Sequence, residues 1–222
     1  MHTAFILCAG RGERLRPLTD YCPKPMCMVQ QKPLLQHHIE RLAAHNFQHV
    51  VINHAYLGHH IRRYFGNGRA FGIDISYSPE PPGGLETAGG IVQALPLLGK
   101  DPFMVINGDI FTDYPYQPHA LDAPLGGHLI LIKQQYAHAD FGLDPAGKIC
   151  RQDAQYTFAG IAYYRPELFN TCRIGRYSLA PCLREWADIG QFSGSLYEGF
   201  WTDIGSPGLQ VMPMRKVSVH IK

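Results

Sequence analysis

Apolar residues along this chain fall into short continuous runs that alternate with longer stretches at helical spacing. Ala4–Leu7 and Val50–Asn53 read as strands, and the unbroken apolar run of the first marks it as buried. Between them, Pro33–Asn46 places Leu35, Ile39 and Leu42 on one face and predicts a helix, with Pro33 suited to its first turn. Leu57–Phe65 predicts a second helix, Ile73–Tyr77 an alternating third strand, Thr87–Leu98 a third helix and Phe103–Ile106 a fourth strand. Such repetition predicts an α/β fold: a Rossmann-like, doubly wound sheet, mixed but mostly parallel, with ligands outside the carboxyl ends of its strands. Past residue 115 the pattern loosens. Pro115, Pro118 and Pro124 mark a connecting segment. Leu129–Ile132, Lys148–Cys150 and Phe158–Tyr164 then predict further strands, and Ser178–Trp186 a helix. Pro207-Gly208 and Pro213 interrupt any helix after Gly205, and Met214–Lys222 alternates and is basic.

Composition narrows the function only by exclusion. The 222 residues fit one α/β domain with a single core. A formal charge of +2, from 20 basic and 18 acidic residues, carries no global signature of nucleic-acid or membrane binding, so any attraction for anions must be local. No apolar run approaches a membrane span, and Met1-His2-Thr3 leads into the first strand without a signal peptide, so a cytoplasmic protein is expected. The six cysteines form no C-x-x-C pair and are expected reduced, with Cys8 a small buried apolar residue. The twelve histidines do not suggest a metal site either: His37-His38 and His59-His60 are adjacent pairs, which no single helix face could use together.

The candidate chemistry lies in the loop after the first strand. Gly10 and Gly12 let the backbone approach a ligand closely, and successive N–H groups in such a turn form an anion-binding concavity. Arg14 and Arg16 follow, then Lys24 between two prolines: planar forks and a point charge for phosphate oxygens. A polyphosphate ligand is implied. The loop is not a dinucleotide fingerprint, because Leu15 stands where the third glycine belongs, and no Gly-Lys-Ser/Thr of a P-loop occurs. Asp140-Phe141-Gly142 copies the kinase magnesium tripeptide without its partner motifs. Other candidates fall where the fold predicts a ligand: Asn53 after the second strand, Glu80 after the third, and Asp109 after the fourth beside Gly108.

The order Gly10, Gly12, Arg14, Leu15, Pro17, Leu18, Thr19, then Pro23-Lys24-Pro25, resembles the signature of the sugar-nucleotide transferases. These enzymes join a nucleoside triphosphate to a sugar 1-phosphate. Within that family the chain is most similar to the N-acetylmuramate 1-phosphate uridylyltransferases of cell-wall recycling. The shared stretches include Val51–Ala55, Tyr77–Glu80, Leu85-Glu86-Thr87, Ala94–Gly99, Asn107-Gly108-Asp109, Thr112-Asp113-Tyr114 and Asp203-Ile204-Gly205. The resemblance implies a nucleotide-diphospho-sugar transferase fold with a catalytic domain over 1–206. Residues 1–114 would face the nucleotide and 115–206 the sugar phosphate; 207–222 form a tail of unassigned structure, with no left-handed β-helix domain.

The resemblance also assigns roles. Arg14 serves the β- and γ-phosphates, and Lys24 the α-phosphate and incoming sugar phosphate, with Asp109 completing the catalytic set. Gly10, Gly12, Glu13, Asn53, Glu80, Thr87 and Asn107 line the nucleotide. Asp109 and Asp203 hold Mg2+, Asp203 having a helix N-cap as its alternative. Asp140 touches the sugar or its N-acyl group, or else caps a loop; Gly160 leaves room for the sugar, or else marks a strand bulge. Asn107 bonds the base or ribose, or closes its own turn. The expected partners are UTP or another triphosphate and a sugar 1-phosphate, with no nucleic acid or membrane and a homodimer left open. Where several relatives read uracil with a glutamine, Glu80-Pro81-Pro82-Gly83-Gly84 has none, which leaves the base to backbone groups, Asn107 or Glu80. A guanylyltransferase for mannose or heptose 1-phosphate and a catalytically silent nucleotide-binding relative are the alternatives.

Overall fold

The structure is a computed structural model that describes residues 2–133 and 138–204. Its strands are β1 (Thr3–Leu7), β2 (Met28–Val29), β3 (Lys32–Pro33), β4 (His49–His54), β5 (Asp74–Pro79), β6 (Phe103–Asn107), β7 (Ile110–Thr112), β8 (Gly127–Lys133), β9 (Gly142–Leu143), β10 (Ile149–Cys150), β11 (Tyr156–Tyr164), β12 (Phe192–Leu196) and β13 (Trp201–Asp203). The α-helices are α1 (Leu34–Ala44), α2 (Gly58–Phe65), α3 (Glu86–Leu98) and α4 (Leu179–Asp188).

Seven strands form one sheet in the order β12-β8-β11-β6-β1-β4-β5. All neighbours are parallel except β11, which runs antiparallel to both β6 and β8. The expected mixed, mostly parallel sheet is therefore present, and it runs through both halves of the chain. Its strands are apolar on both faces because both are covered. Ala4, Ile6, Val50, Ile52, Met104 and Ile106 pack with Leu35, Ile39 and Ile61 of α1 and α2. Their neighbours Phe5, Val51, Phe103 and Val105 point the other way, toward Ile91 of α3 and Leu183 and Trp186 of α4. Period-two alternation thus divides one apolar run between two cores.

Several elements depart from the pattern. Helix α1 stops two residues short of Asn46, which takes a left-handed φ of 64° and turns the chain toward β4. Strand β12 has no apolar signature beyond Phe192 and Leu196, since Gly194 sits at its middle; its parallel pairing with β8 creates it. Strands β7 and β13, three residues each, pair antiparallel, with Asp203 opposite Ile110. Asp203 therefore ends a strand; Gly205 and Ser206, before which the sequence allows it as a helix N-cap, lie outside the described residues, as does the tail 207–222. No described helix is long and apolar enough to cross a membrane.

Candidate active site

The loop leaving β1 is shaped by one glycine and one hydroxyl. Gly12 takes φ 68°, and a Cβ there would lie 3.0 Å from Thr19 Cγ2 and 3.3 Å from Lys24 Cβ. The buried Thr19 hydroxyl donates to the Gly12 carbonyl at 2.8 Å, and the Leu15 N–H donates to the same carbonyl at 3.0 Å, which closes the turn on itself. Gly10 faces open space. Arg11 is already engaged: its guanidinium donates to Asp20 Oδ1 at 2.6 Å and to the Thr19 carbonyl at 2.7 Å, and stacks 3.9 Å over the Tyr56 ring. Arg16 Nε shares the same carboxylate oxygen at 3.0 Å. The Arg11 hydrogen bond holds the Asp20 carboxyl below its ordinary range. Arg14 enters none of these pairs and lines the cleft together with Gly10, Gly12 and Glu13.

Behind the loop, a buried relay ties three strand ends together. Cys8 N–H donates to Asn53 Oδ1 at 2.6 Å, Asn53 Nδ2 donates to Glu80 Oε1 at 2.6 Å, and Leu85 N–H donates to Glu80 Oε2 at 2.6 Å. The carboxyl ends of β1, β4 and β5 and the start of α3 are locked into one rim. Gly90 belongs to this rim, because a Cβ would come within 2.6 Å of Glu80 Oε1 and 2.8 Å of Asn53 Nδ2. Asn53 still borders the cleft, as does Thr87, whereas Glu80 lies behind it with its two carboxylate oxygens in the relay. Burial first, and Asp109 second, push the Cys8 thiol well above its usual pKa, so it stays neutral.

Asp109 stands at the centre. Gly108 N–H bonds the Leu7 carbonyl at 3.0 Å, and a Cβ would lie 2.6 Å from that oxygen, so only glycine lets the turn press against β1. Lys24 Nζ, nearly buried between its prolines, meets Asp109 Oδ2 at 2.8 Å. On the other side Ile204 N–H donates to the Asp109 carbonyl at 2.7 Å, and Trp201 Nε1 donates to the Ala159 carbonyl at 2.9 Å. Asp203 thereby joins Asp109 on the wall of the same cavity.

The cleft has two lobes. The larger, about 930 Å³, is lined by the glycine loop, Arg14, Lys24, Asn53, Thr87 and Arg176. The smaller, about 300 Å³, is lined by Asp140, Gly160, Arg184, Trp201 and Asp203. Asn107 and Asp109 border both. Gly160 carries φ 71° within a register shift of β11 against β8 between Phe158 and Ala162; a Cβ there would lie 2.6 Å from Asn107 Nδ2. The strand irregularity is real, and the space it opens receives the Asn107 amide. Asp140 Oδ2 accepts Phe158 N–H at 2.9 Å, as a capping residue does, while also bordering the smaller lobe.

Of the residues singled out from the sequence, all but Glu80 and Arg16 border one of the two lobes; Arg16 is held instead by Asp20. Sequence reasoning passed over Arg176, which pairs with Glu86 at 3.3 Å on the rim, and Arg184 on α4. Only helical spacing, with Ala180, Leu183 and Arg184 at i, i+3 and i+4, hinted at the second. Asp109, in the turn that leads into β7, and Asp203, on the strand paired with β7, stand beside room for phosphate oxygens and suit a hard divalent ion that keeps the rest of its shell from ligand and water. Among the described residues no group of three or more acidic, histidine or cysteine side chains could hold a metal unaided.

Comparison with known proteins gives the family and the fold. Residues 3–143 match the nucleotidyl transferase family profile. The chain is 45% identical over 215 residues to the N-acetylmuramate alpha-1-phosphate uridylyltransferase of Neisseria meningitidis, covering 91% of this chain and 93% of that protein. It is 30% identical over 224 residues to the protein of the same name from Caulobacter vibrioides, covering 92% of each. Among solved structures, a putative glucose-1-phosphate thymidylyltransferase from Bacillus anthracis superposes with a TM-score of 0.79 at 20% identity, covering 92% of this chain and 91% of that one. With a glycine loop, a Lys24–Asp109 pair and two lobes in place, the chain belongs to the nucleotidyl transferase family and is a sugar-1-phosphate nucleotidyltransferase.

Proposed function

We propose that the protein transfers the uridylyl group of UTP to N-acetylmuramate 1-phosphate, releasing pyrophosphate, in the cytoplasmic salvage of a cell-wall sugar. One observation carries the reading: Lys24 and Asp109 are paired at the junction of two lobes, one sized for a triphosphate and one for a sugar. A phosphate oxygen of the sugar attacks the α-phosphorus in line; that P–O bond forms as the bond to the β-phosphate oxygen breaks. No covalent enzyme intermediate is required, so positioning and charge compensation do the work.

The backbone of Gly10–Glu13 and Arg14 take the β- and γ-phosphates. Lys24 sits where the α-phosphate and the incoming phosphate meet, and its charge offsets their repulsion. Asp109 and Asp203 would hold Mg2+, which when bound neutralises phosphoryl oxygens. Thr87 and Asn107 face the nucleoside. Asn53 and Glu80 serve the nucleotide through the rim they brace, holding the glycine loop and the start of α3 at fixed separation. Asp140 and Gly160 border the sugar, the second by seating the Asn107 amide.

The uridylyl assignment draws on the two N-acetylmuramate relatives. A mannose-1-phosphate guanylyltransferase catalytic subunit from Danio rerio also shares 30% identity, with 92% of this chain aligned to 61% of that protein. Pyrophosphate release across a panel of UTP, GTP, CTP and dTTP with several sugar 1-phosphates separates the two. UTP with N-acetylmuramate 1-phosphate is expected as the best pair. GTP with mannose 1-phosphate in that place would overturn the uridylyl reading, and binding without turnover of any pair would overturn transfer itself.

A further inference from the structure

Arg184 is the only cationic side chain among the described residues lining the smaller lobe. It lies on the face of α4 that also presents Ala180 and Leu183 to that lobe, and it makes no ion pair with a described carboxylate. Two of the three aspartates lining the lobe are engaged elsewhere: Asp109 pairs with Lys24, and Asp140 accepts the Phe158 N–H. With the sugar's own phosphate assigned to Lys24, which lines the other lobe, a neutral hexose 1-phosphate offers Arg184 no second anion. An N-acetylmuramate carries a second anion, a carboxylate, whose two oxygens match the guanidinium fork. Around the arginine, Leu183, Phe141, Phe158 and Trp201 supply apolar wall for methyl groups such as that of an acetamide.

We propose that Arg184 binds the carboxylate of the sugar substrate and selects acidic sugar 1-phosphates over neutral ones. This rests on the assignment of N-acetylmuramate 1-phosphate as substrate. Arg184 is exposed on its helix and holds no packing together, so its removal changes recognition and leaves the fold intact.

The test compares N-acetylmuramate 1-phosphate with its carboxyl methyl ester, each as substrate with UTP and as competitive inhibitor, in the wild type, Arg184→Gln and Arg184→Lys. In Arg184→Gln, kcat/KM for the acid falls about 10- to 100-fold through KM, while values for the ester and KM for UTP stay put. Arg184→Lys recovers part of the loss and keeps the preference for the acid. If the wild type prefers the acid and Arg184→Gln prefers it equally, Arg184 has no such role and the substrate assignment survives. A parallel loss for acid and ester also overturns the selective role. A wild type that takes acid and ester equally overturns this proposal, while the substrate assignment stands or falls with the sugar 1-phosphate panel. Thermal melting of each variant confirms that folded enzyme is being compared.

Discussion

The two lobes of the cleft are built in opposite ways. The larger lobe draws Gly10, Gly12, Glu13, Arg14 and Lys24 from one continuous stretch, which the chain closes through local bonds such as Thr19 to Gly12. Its rim is then locked by the Cys8–Asn53–Glu80–Leu85 relay. The smaller lobe draws on Asn107, Asp140, Gly160, Arg184 and Asp203, brought together only by the antiparallel course of β11 and the pairing of β13 with β7. On the proposed assignment, a local motif receives the triphosphate, whereas the sugar meets a surface that exists only once the sheet has closed.

That contrast can be broken most sharply at the junction. Asp109→Asn keeps the shape but replaces a carboxylate that balances Lys24 and would bind the metal; turnover is expected to fall at least about 100-fold with melting nearly unchanged. Equal turnover in both proteins would remove Asp109 from the reacting centre and leave the lobes without a shared element.

The locked rim is tested next, by stability. Glu80→Ala strands the Asn53 amide and the Leu85 N–H in a buried site, a cost of about 2–4 kcal/mol in urea unfolding. An unfolding free energy within error of the wild type would mean that the relay does not brace the larger lobe.

Gly160→Ala probes the smaller lobe. The added methyl meets Asn107 Nδ2 at a left-handed backbone position, costing about 1–3 kcal/mol. Because Asn107 borders both lobes, KM for both substrates is expected to rise. A change confined to the sugar would separate the lobes more cleanly than the geometry does.

The smallest effect concerns the loop's outer charges. Asp20, its carboxyl held below the ordinary range chiefly by the Arg11 hydrogen bond, is charged in both folded and unfolded chains at neutral pH. Its contribution is full above the unfolded carboxyl pKa of about 3.9 and is lost as pH falls through the lower folded value. Asp20→Asn should therefore narrow the wild type's advantage in melting temperature only on the acid side. An advantage that persists unchanged at low pH would show that the Arg11–Asp20–Arg16 cluster does not stabilise the loop by charge.

How much of this was legible beforehand depended on range. The central strands and the first three helices are written in apolar periodicity, because each buries its residues whatever the partner. The glycine loop was legible because its phosphate chemistry needs residue types at close spacing. Strand β12, with Gly194 at its centre, and the pair β7–β13 have too little intrinsic preference to announce themselves; hydrogen bonding to a neighbour makes them strands. Gly160 could be read as room for a sugar or as a bulge, and only coordinates reveal the bulge with the Asn107 amide in the space. Arg184 carried no motif at all.

By itself, then, the amino-acid order determined a two-faced α/β sheet and a phosphate-binding turn, since both follow from burial and from chemistry between near neighbours. The family resemblance paired Asp203 with Asp109; only the tertiary structure decided that the β13–β7 pairing brings them to one cavity wall, that Glu80 lies behind the cleft, and that an arginine of α4 lines the smaller lobe. Those are contacts between segments far apart along the chain, fixed by sheet order and register, which no local pattern encodes.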